Sequence, residues 1–483
     1  MKEHKLWIQG AWQQGSSTLE ISAPYSRESI ARVEQASEQQ LEEALAAIAL
    51  CDQAFRRSSR FARSTLLSLI ATGISEKRQD LIDSIVLEAG KPRKLADVEV
   101  SRAIQTFTLA AEEVKRFSGI VTPLDLEPAG VAYGPALSSW VARGPVLAIS
   151  PFNFPLNLVA HKLAPALAVG APVLLKPAPQ TPGAALILAE IFERVLATRA
   201  DIAKEVPASV FQVIHSSNEV IAQAVKDPRL SVLSFTGSDK VGWHLQSLAQ
   251  RKKVALELGG NAPVIVHADA NISRAAARCA FGAFAYAGQI CISVQRIFIH
   301  ESIYSEFVES LITETAKVVV GDPSHVDTLV GPMINQQALD RVLNWIAEAQ
   351  SGGAEVLVGG KSKGSVIEPT ILAGCKQADK LSCEEVFGPV VVVEKYQDFA
   401  DALSRCNSSR YGLQAGVFTE SLQIARKACH ELNFGAVLIN EIPTYRADQM
   451  PYGGMKDSGI GREGVRYAME DYSELKTTIY WQG

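Results

Sequence analysis

The sequence predicts an α/β fold of two parallel-sheet domains with a small β arm, on three observations. The chain has 483 residues, too many for one hydrophobic core. From Val141 onward short β-branched apolar runs alternate with helical patterns, the rhythm of a mostly parallel sheet covered on both faces. Two stretches, 119–140 and 473–480, are short and β-prone but have no core of their own.

Residues 52–113 read as helical, because LLSLIATGISEKRQDLIDSIVLEAGK places apolar residues at three- and four-residue steps. The Pro-, Gly- and Ser-rich stretch 119–140 then reads as a hairpin or arm. Strands follow at 146–149, 172–175, 210–214, 232–235 and 254–258, with helices at 155–169 and 181–196 and after the later strands. A doubly wound sheet binds ligands at the carboxyl ends of its strands. Unusual polar residues stand there: Asn153, Lys176, Gly237, Ser238 and Glu257. A second set of strands is expected at 263–267, 296–299, 390–393, 415–418 and 436–439, entered through a small-residue helix at 275–287. The tail 473–480 suits pairing with the arm or with another subunit.

Composition narrows the function. At 47% hydrophobic and 20% charged the chain reads as an ordinary soluble globular protein. Its net charge of −5 and dispersed lysines and arginines offer no stripe for nucleic acid. No run of about 18 uncharged apolar residues argues for a membrane span, and the N-terminus lacks a signal-peptide pattern. The seven cysteines are odd in number and form no C-x-x-C pair, which fits a reducing cytoplasm. The eight histidines are scattered, so no metal site is expected.

A few residues can carry chemistry. Cys291 stands in a loop-like GQICISV after the small-residue helix. It reads as a small buried hydrophobe or as a nucleophilic thiol. Glu257, in VALELGGN, is a carboxylate closing an apolar strand. It reads as a strand-end ion pair or, with its pKa raised by burial, as a general base. Asn153, between two prolines in SPFNFP, is a turn former or an oxyanion donor. Residues 235–242, FTGSDKVG, join a strand to a helix whose amides can take a phosphate, without the G-x-G-x-x-G fingerprint.

Seven motifs in order resemble the aldehyde dehydrogenase superfamily over nearly the whole chain: PFNFP at 151–155, LLKPAPQTP at 174–182, FTGSDKVG at 235–242, LELGGNAP at 256–263, GQICISVQR at 288–296, EEVFGPV at 384–390 and PYGGMKDSGIGREG at 451–464. EVSRAIQTF at 99–107 and INEIPTYRADQMPYGG at 439–454 look most like the branch acting on lactaldehyde, glycolaldehyde and related small aldehydes. The resemblance implies a Rossmann-like cofactor-binding domain (1–118 and 141–256), a catalytic domain (257–455) and an oligomerisation arm (119–140 and 470–483) building a homodimer or homotetramer.

It also implies roles for individual residues. Cys291 would attack the aldehyde, with the oxyanion held by the Asn153 amide and the Cys291 backbone N–H. Glu257 would activate the water that hydrolyses the resulting thioester. NAD(P) would lie along Ile149, Pro151, Phe152, Pro179, Gly237, Val241, Gly242 and Gly259. Lys176 would meet its adenosine ribose, Ser238 its pyrophosphate and Glu385 its nicotinamide ribose, with Phe387 packing near the ring. Pro179 stands where NAD-preferring members commonly carry an acid, so NADP should be accepted and preference for it is left open. Phe152 replaces a frequent Trp. Arg102 either presents charge at the pocket mouth or is a solvated helix arginine. A CoA-acylating enzyme does not need the base that Glu257 provides. A non-catalytic protein on this scaffold would have no chemical reason to keep Cys291, Glu257 and Asn153 together.

Overall fold

The computed structural model describes residues 2–482, and two large sheets organise it. The first has eight strands in the order Gly459–Ile460, Lys253–Glu257, Val232–Thr236, Val146–Ile149, Val173–Lys176, Phe211–Val213, Leu6–Ile8, Ala11–Gln13. Its five middle strands run parallel, and antiparallel strands close both edges. Chain order reverses beside Val146–Ile149, which puts the crevice of a doubly wound sheet next to residues 150–153 and 237–238.

Val146–Ile149 and Val173–Lys176, at the centre of the sheet, are buried on both faces, which is why they read as near-continuous apolar runs. Val146, Ala148, Val173 and Leu175 enter a core shared with helices Arg60–Glu76, Arg93–Arg116, Asn157–Val169 and Gly183–Thr198. Leu147, Ile149, Leu174 and Phe235 face the opposite core, with helices Glu38–Arg56, Asn218–Lys226 and Asp239–Leu248. The helical pattern from 52 to 113 is four helices. The first begins earlier than read, at Glu38, where Ser37 and Gln40 form a capping box.

The second sheet has seven strands: Glu355–Val358, Thr370–Ala373, Val390–Tyr396, Val294–His300, Ala262–Val266, Gln414–Phe418 and Ala436–Ile439. All pair in parallel except the first, an antiparallel edge. The helix expected at 275–287 spans Ile272–Phe284 and then breaks. Tyr286, Ala287 and Gly288 take left-handed φ values of 54°, 52° and 64°. A Cβ at Gly288 would sit 2.1 Å from the Gly388 carbonyl oxygen, so only glycine fits this close approach.

Ser473–Thr478 pairs antiparallel with Ala136–Ala142, which pairs with Ile120–Thr122, so the tail joins the arm. Glu257 lies in the first sheet, as the last residue of its strand. Residues 459–460 also return to that sheet after the chain has passed through the second.

Candidate active site

The left-handed turn delivers the chain to Gln289, whose side chain anchors it. Gln289 Nε2 donates to the Pro332 carbonyl at 3.1 Å, and Oε1 accepts from Ile334 N–H at 2.9 Å. Cys291 follows, half-buried among Ile290, Ile292, Leu413 and Tyr452. Its Sγ lies 3.1 Å from Tyr452 Oη. Burial pushes the thiol up to about 12; Glu385 and Glu257 add to this, while the Tyr452 hydrogen bond and Arg446 oppose it.

Asn153 is buried past the end of Val146–Ile149, and its Nδ2 donates to the Gln289 carbonyl at 3.0 Å. The amide therefore ties the first sheet's crevice to the loop carrying Cys291, and its second N–H is available to another acceptor.

Glu257 is buried, and its Oε2 has no hydrogen-bond partner among the described residues. Burial raises its pKa well above the ordinary carboxylate value, and the nearby Glu463 raises it further. Glu463 goes the other way. Burial alone would raise it, but Lys162 at 3.3 Å and Arg446 at 2.9 Å outweigh that and hold it down at about 2. Two buried carboxylates thus share one set of cations: Glu463 is ionised, and Glu257 holds its proton more tightly.

These groups line a cavity of about 1150 Å³, and every residue expected at the cofactor lines it except Gly242. Gly242 lies inside the helix packing, where a Cβ would meet Leu258 Cδ2 at 2.3 Å. The Lys176 ammonium is nearly buried, which lowers its pKa, and it has no ion-pair partner among the described residues. Ser238 is the N-cap of Asp239–Leu248 but its side chain caps no N–H, leaving hydroxyl and helix terminus for an anion. Glu385 accepts from Gly260 N–H at 3.1 Å, and burial raises it to about 7. A Cβ at Gly259 would lie 2.5 Å from Glu385 Oε2, so glycine admits the carboxylate. Phe387 meets Phe152 edge-on at 5.9 Å.

The Arg102 charge is not free at the pocket mouth. It forms a double hydrogen bond to Asp448, at 3.1 and 2.7 Å, and Asp448 also contacts His161 at 2.8 Å. Sequence reasoning gave no roles to Lys162, Tyr452, Glu463 or Arg341, all at or beside the cavity. The signal for Lys162 was a lysine inside an apolar helix, where it is now buried.

A doubly wound sheet whose crevice holds an unpaired lysine and an open helix N-terminus, beside a thiol and a buried carboxylate, is the site of an enzyme that takes an anionic ligand at its strand ends. Comparison gives the particular family. Residues 12–478 match the aldehyde dehydrogenase family, and the chain belongs to it. It is 38% identical over 480 residues to 3-sulfolactaldehyde dehydrogenase of Priestia aryabhattai, covering 99% of this chain and 98% of that one. It is 36% identical over 476 residues to lactaldehyde dehydrogenase of Methanococcus aeolicus, covering 98% and 99%. Among solved structures it resembles aldehyde dehydrogenase 21 of Physcomitrella patens in complex with the reaction product succinate (TM-score 0.95, 37% identity, 100% and 98% covered). It also resembles glyceraldehyde-3-phosphate dehydrogenase of Methanocaldococcus jannaschii complexed with NADP (TM-score 0.91, 36% identity, 96% and 99% covered).

Proposed function

We propose that this protein oxidises a small aldehyde to its carboxylic acid with NAD(P). The observation that carries the reading is one cavity lined by Cys291, Glu257 and Asn153 together with Lys176 and Ser238. The unpaired ammonium and uncapped helix terminus fit an anionic dinucleotide. Bound there, the nicotinamide supplies the hydride acceptor.

The chain's own residues do the rest. The Cys291 thiolate adds to the aldehyde carbon, and the new oxyanion is held by the Asn153 amide and the Cys291 backbone N–H. Loss of hydride from that carbon leaves a thioester on Cys291. Glu257 takes a proton from water as the water attacks; the C–S bond breaks, the acid leaves and the sulfur regains its electron pair. The unpartnered Glu257 Oε2 is a ready acceptor for that proton.

Arg446 lines the cavity, and its buried Nε lacks a partner. This favours an aldehyde with a hydroxyl or an acid group near the carbonyl, as the substrate names of the relatives suggest. The β arm supports a homodimer or homotetramer, and seven free cysteines support a cytoplasmic setting. No helix among the described residues is long and apolar enough to cross a membrane.

The test is absorbance of reduced cofactor over lactaldehyde, glycolaldehyde, succinic semialdehyde and propanal, with and without CoA. Cys291→Ala should abolish turnover and leave cofactor binding by fluorescence titration intact. Turnover by the alanine variant, or strict dependence on CoA, would overturn the reading.

A further inference from the structure

Among the described residues, the polar side chain against Cys291 Sγ is the Tyr452 hydroxyl, 3.1 Å away. The other close neighbours are the apolar Ile290, Ile292 and Leu413. Tyr452 is held from two directions. Its ring lies under the Arg446 guanidinium, 3.8 Å from the centroid. Its main chain is paired with Glu463 in both directions, Tyr452 N–H to the Glu463 carbonyl at 3.0 Å and the reverse at 2.7 Å. The next residue, Gly453, adopts φ +158°, where a Cβ would stand 2.9 Å from Glu257 Oε1. One short strap therefore presses a phenol against the thiol and bare backbone against the carboxylate.

Resting on the assignment of Cys291 as nucleophile, we propose that Tyr452 is a further catalytic residue, whose hydroxyl donates a hydrogen bond to the Cys291 thiolate. In the thiol form either atom can be the donor. Once the sulfur has lost its proton, only the phenol can donate. Burial keeps the phenol protonated, and the neighbouring Cys291 reinforces that, so it does not become a competing anion. The bond holds the sulfur in place for attack and offsets the apolar surroundings that disfavour its charge. It serves again when the C–S bond breaks and the electron pair returns to sulfur.

The charged groups facing Cys291 are Glu385, Glu257 and Arg446. Tyr452→Phe leaves all three and deletes one hydroxyl, so a change in thiol ionisation reports that hydroxyl. The experiment follows iodoacetamide alkylation of Cys291 against pH, read by peptide mass spectrometry because the chain has seven cysteines. Expected for Tyr452→Phe is a profile displaced upward by about one pH unit, with alkylation near neutral pH slowed about tenfold. If that variant fails to fold, 3-fluorotyrosine at position 452, a stronger donor, should displace the profile downward. An unmoved profile in a folded variant overturns the proposal. Turnover by Cys291→Ala would instead overturn the underlying nucleophile assignment, and it is measured separately.

Discussion

Glu257 shows how burial sets a residue's chemistry. A carboxylate with raised affinity for its proton loses basicity as pH falls, at higher pH than an exposed glutamate would. The acid limb of steady-state turnover should therefore lie above the ordinary carboxylate range. Glu257→Gln should give a single-turnover burst of reduced cofactor and then stall, as seen by stopped-flow absorbance. Undiminished steady-state turnover would mean another base. Stability carries a matching sign. The raised folded pKa means that Glu257's contribution is present at acid pH and lost as pH rises through that value. The Gln variant should therefore melt higher than the parent at pH 8, with the difference closing toward pH 4.5. Glu463 behaves oppositely: its contribution is present above the unfolded carboxylate pKa and lost as pH falls toward about 2. A second test concerns Pro179, which lines the cavity near Lys176 where an acid would repel a 2′-phosphate. Pro179→Glu should lower the NADP-to-NAD ratio of kcat/KM by about tenfold, the equivalent of ~1.4 kcal/mol. An unchanged ratio would clear this position of cofactor choice. Cys291, Glu257 and Lys176 were legible in the sequence because each interrupts an apolar or small-residue context. Tyr452 and Glu463 stand inside the motif at 451–464, but the motif alone did not say which of its side chains meet the thiol and the carboxylate. Their meaning comes from partners 161 and 301 positions away.

Helix Arg93–Arg116 contributes to the site without reaching it. Glu99 Oε1 accepts from the N–H groups of Leu156 at 2.9 Å and Asn157 at 3.1 Å, capping helix Asn157–Val169, whose own N-cap gives no side-chain bond. Its other oxygen meets Lys91 Nζ at 2.5 Å, both side chains buried. Lys91 Nζ lies 3.3 Å from the Phe154 ring centroid, one residue past Asn153, while Tyr286 Oη donates to the Ala89 carbonyl at 3.0 Å. The pair thus braces both the Asn153 loop and the turn before Cys291. Lys91→Met should destabilise the protein by roughly 3 kcal/mol, because it takes the cation from a buried pair and leaves Glu99 only its two backbone N–H bonds. It should lower kcat more than it weakens cofactor binding; melting and fluorescence titration would check both. The central strands Val146–Ile149 and Val173–Lys176 were legible because their apolar runs agree with burial on both faces. Leu6–Ile8 and Ala11–Gln13 were not: each is three residues long, and their place in the sheet comes through Phe211–Val213, some 200 positions later. The break at 285–288 was hidden too, because alanines favour helix while contact with Gly388 overrides them.

On the scale of the whole molecule, the arm carries several exposed apolar side chains. Val121, Leu126, Val131 and Trp481 are 66, 85, 69 and 71% exposed, and Ser473–Thr478 keeps one open strand edge. Light scattering at micromolar concentration should show a dimer or tetramer, and Val121→Asp combined with Trp481→Asp should yield smaller species. A monomeric parent would refute assembly through the arm.

The strand Gly459–Ile460 also has a consequence in time. It covers the outer edge of Lys253–Glu257, yet it is made roughly 200 residues later. At ~5–20 residues per second a ribosome needs on the order of 10–40 s to supply it. Throughout that interval the strand bearing Glu257 has an open edge, and Cys291 has been synthesised before its Tyr452 partner exists. The open edge beside Glu257 and the unpartnered Cys291 thus persist over nearly the same interval, and the segment 452–460 ends both.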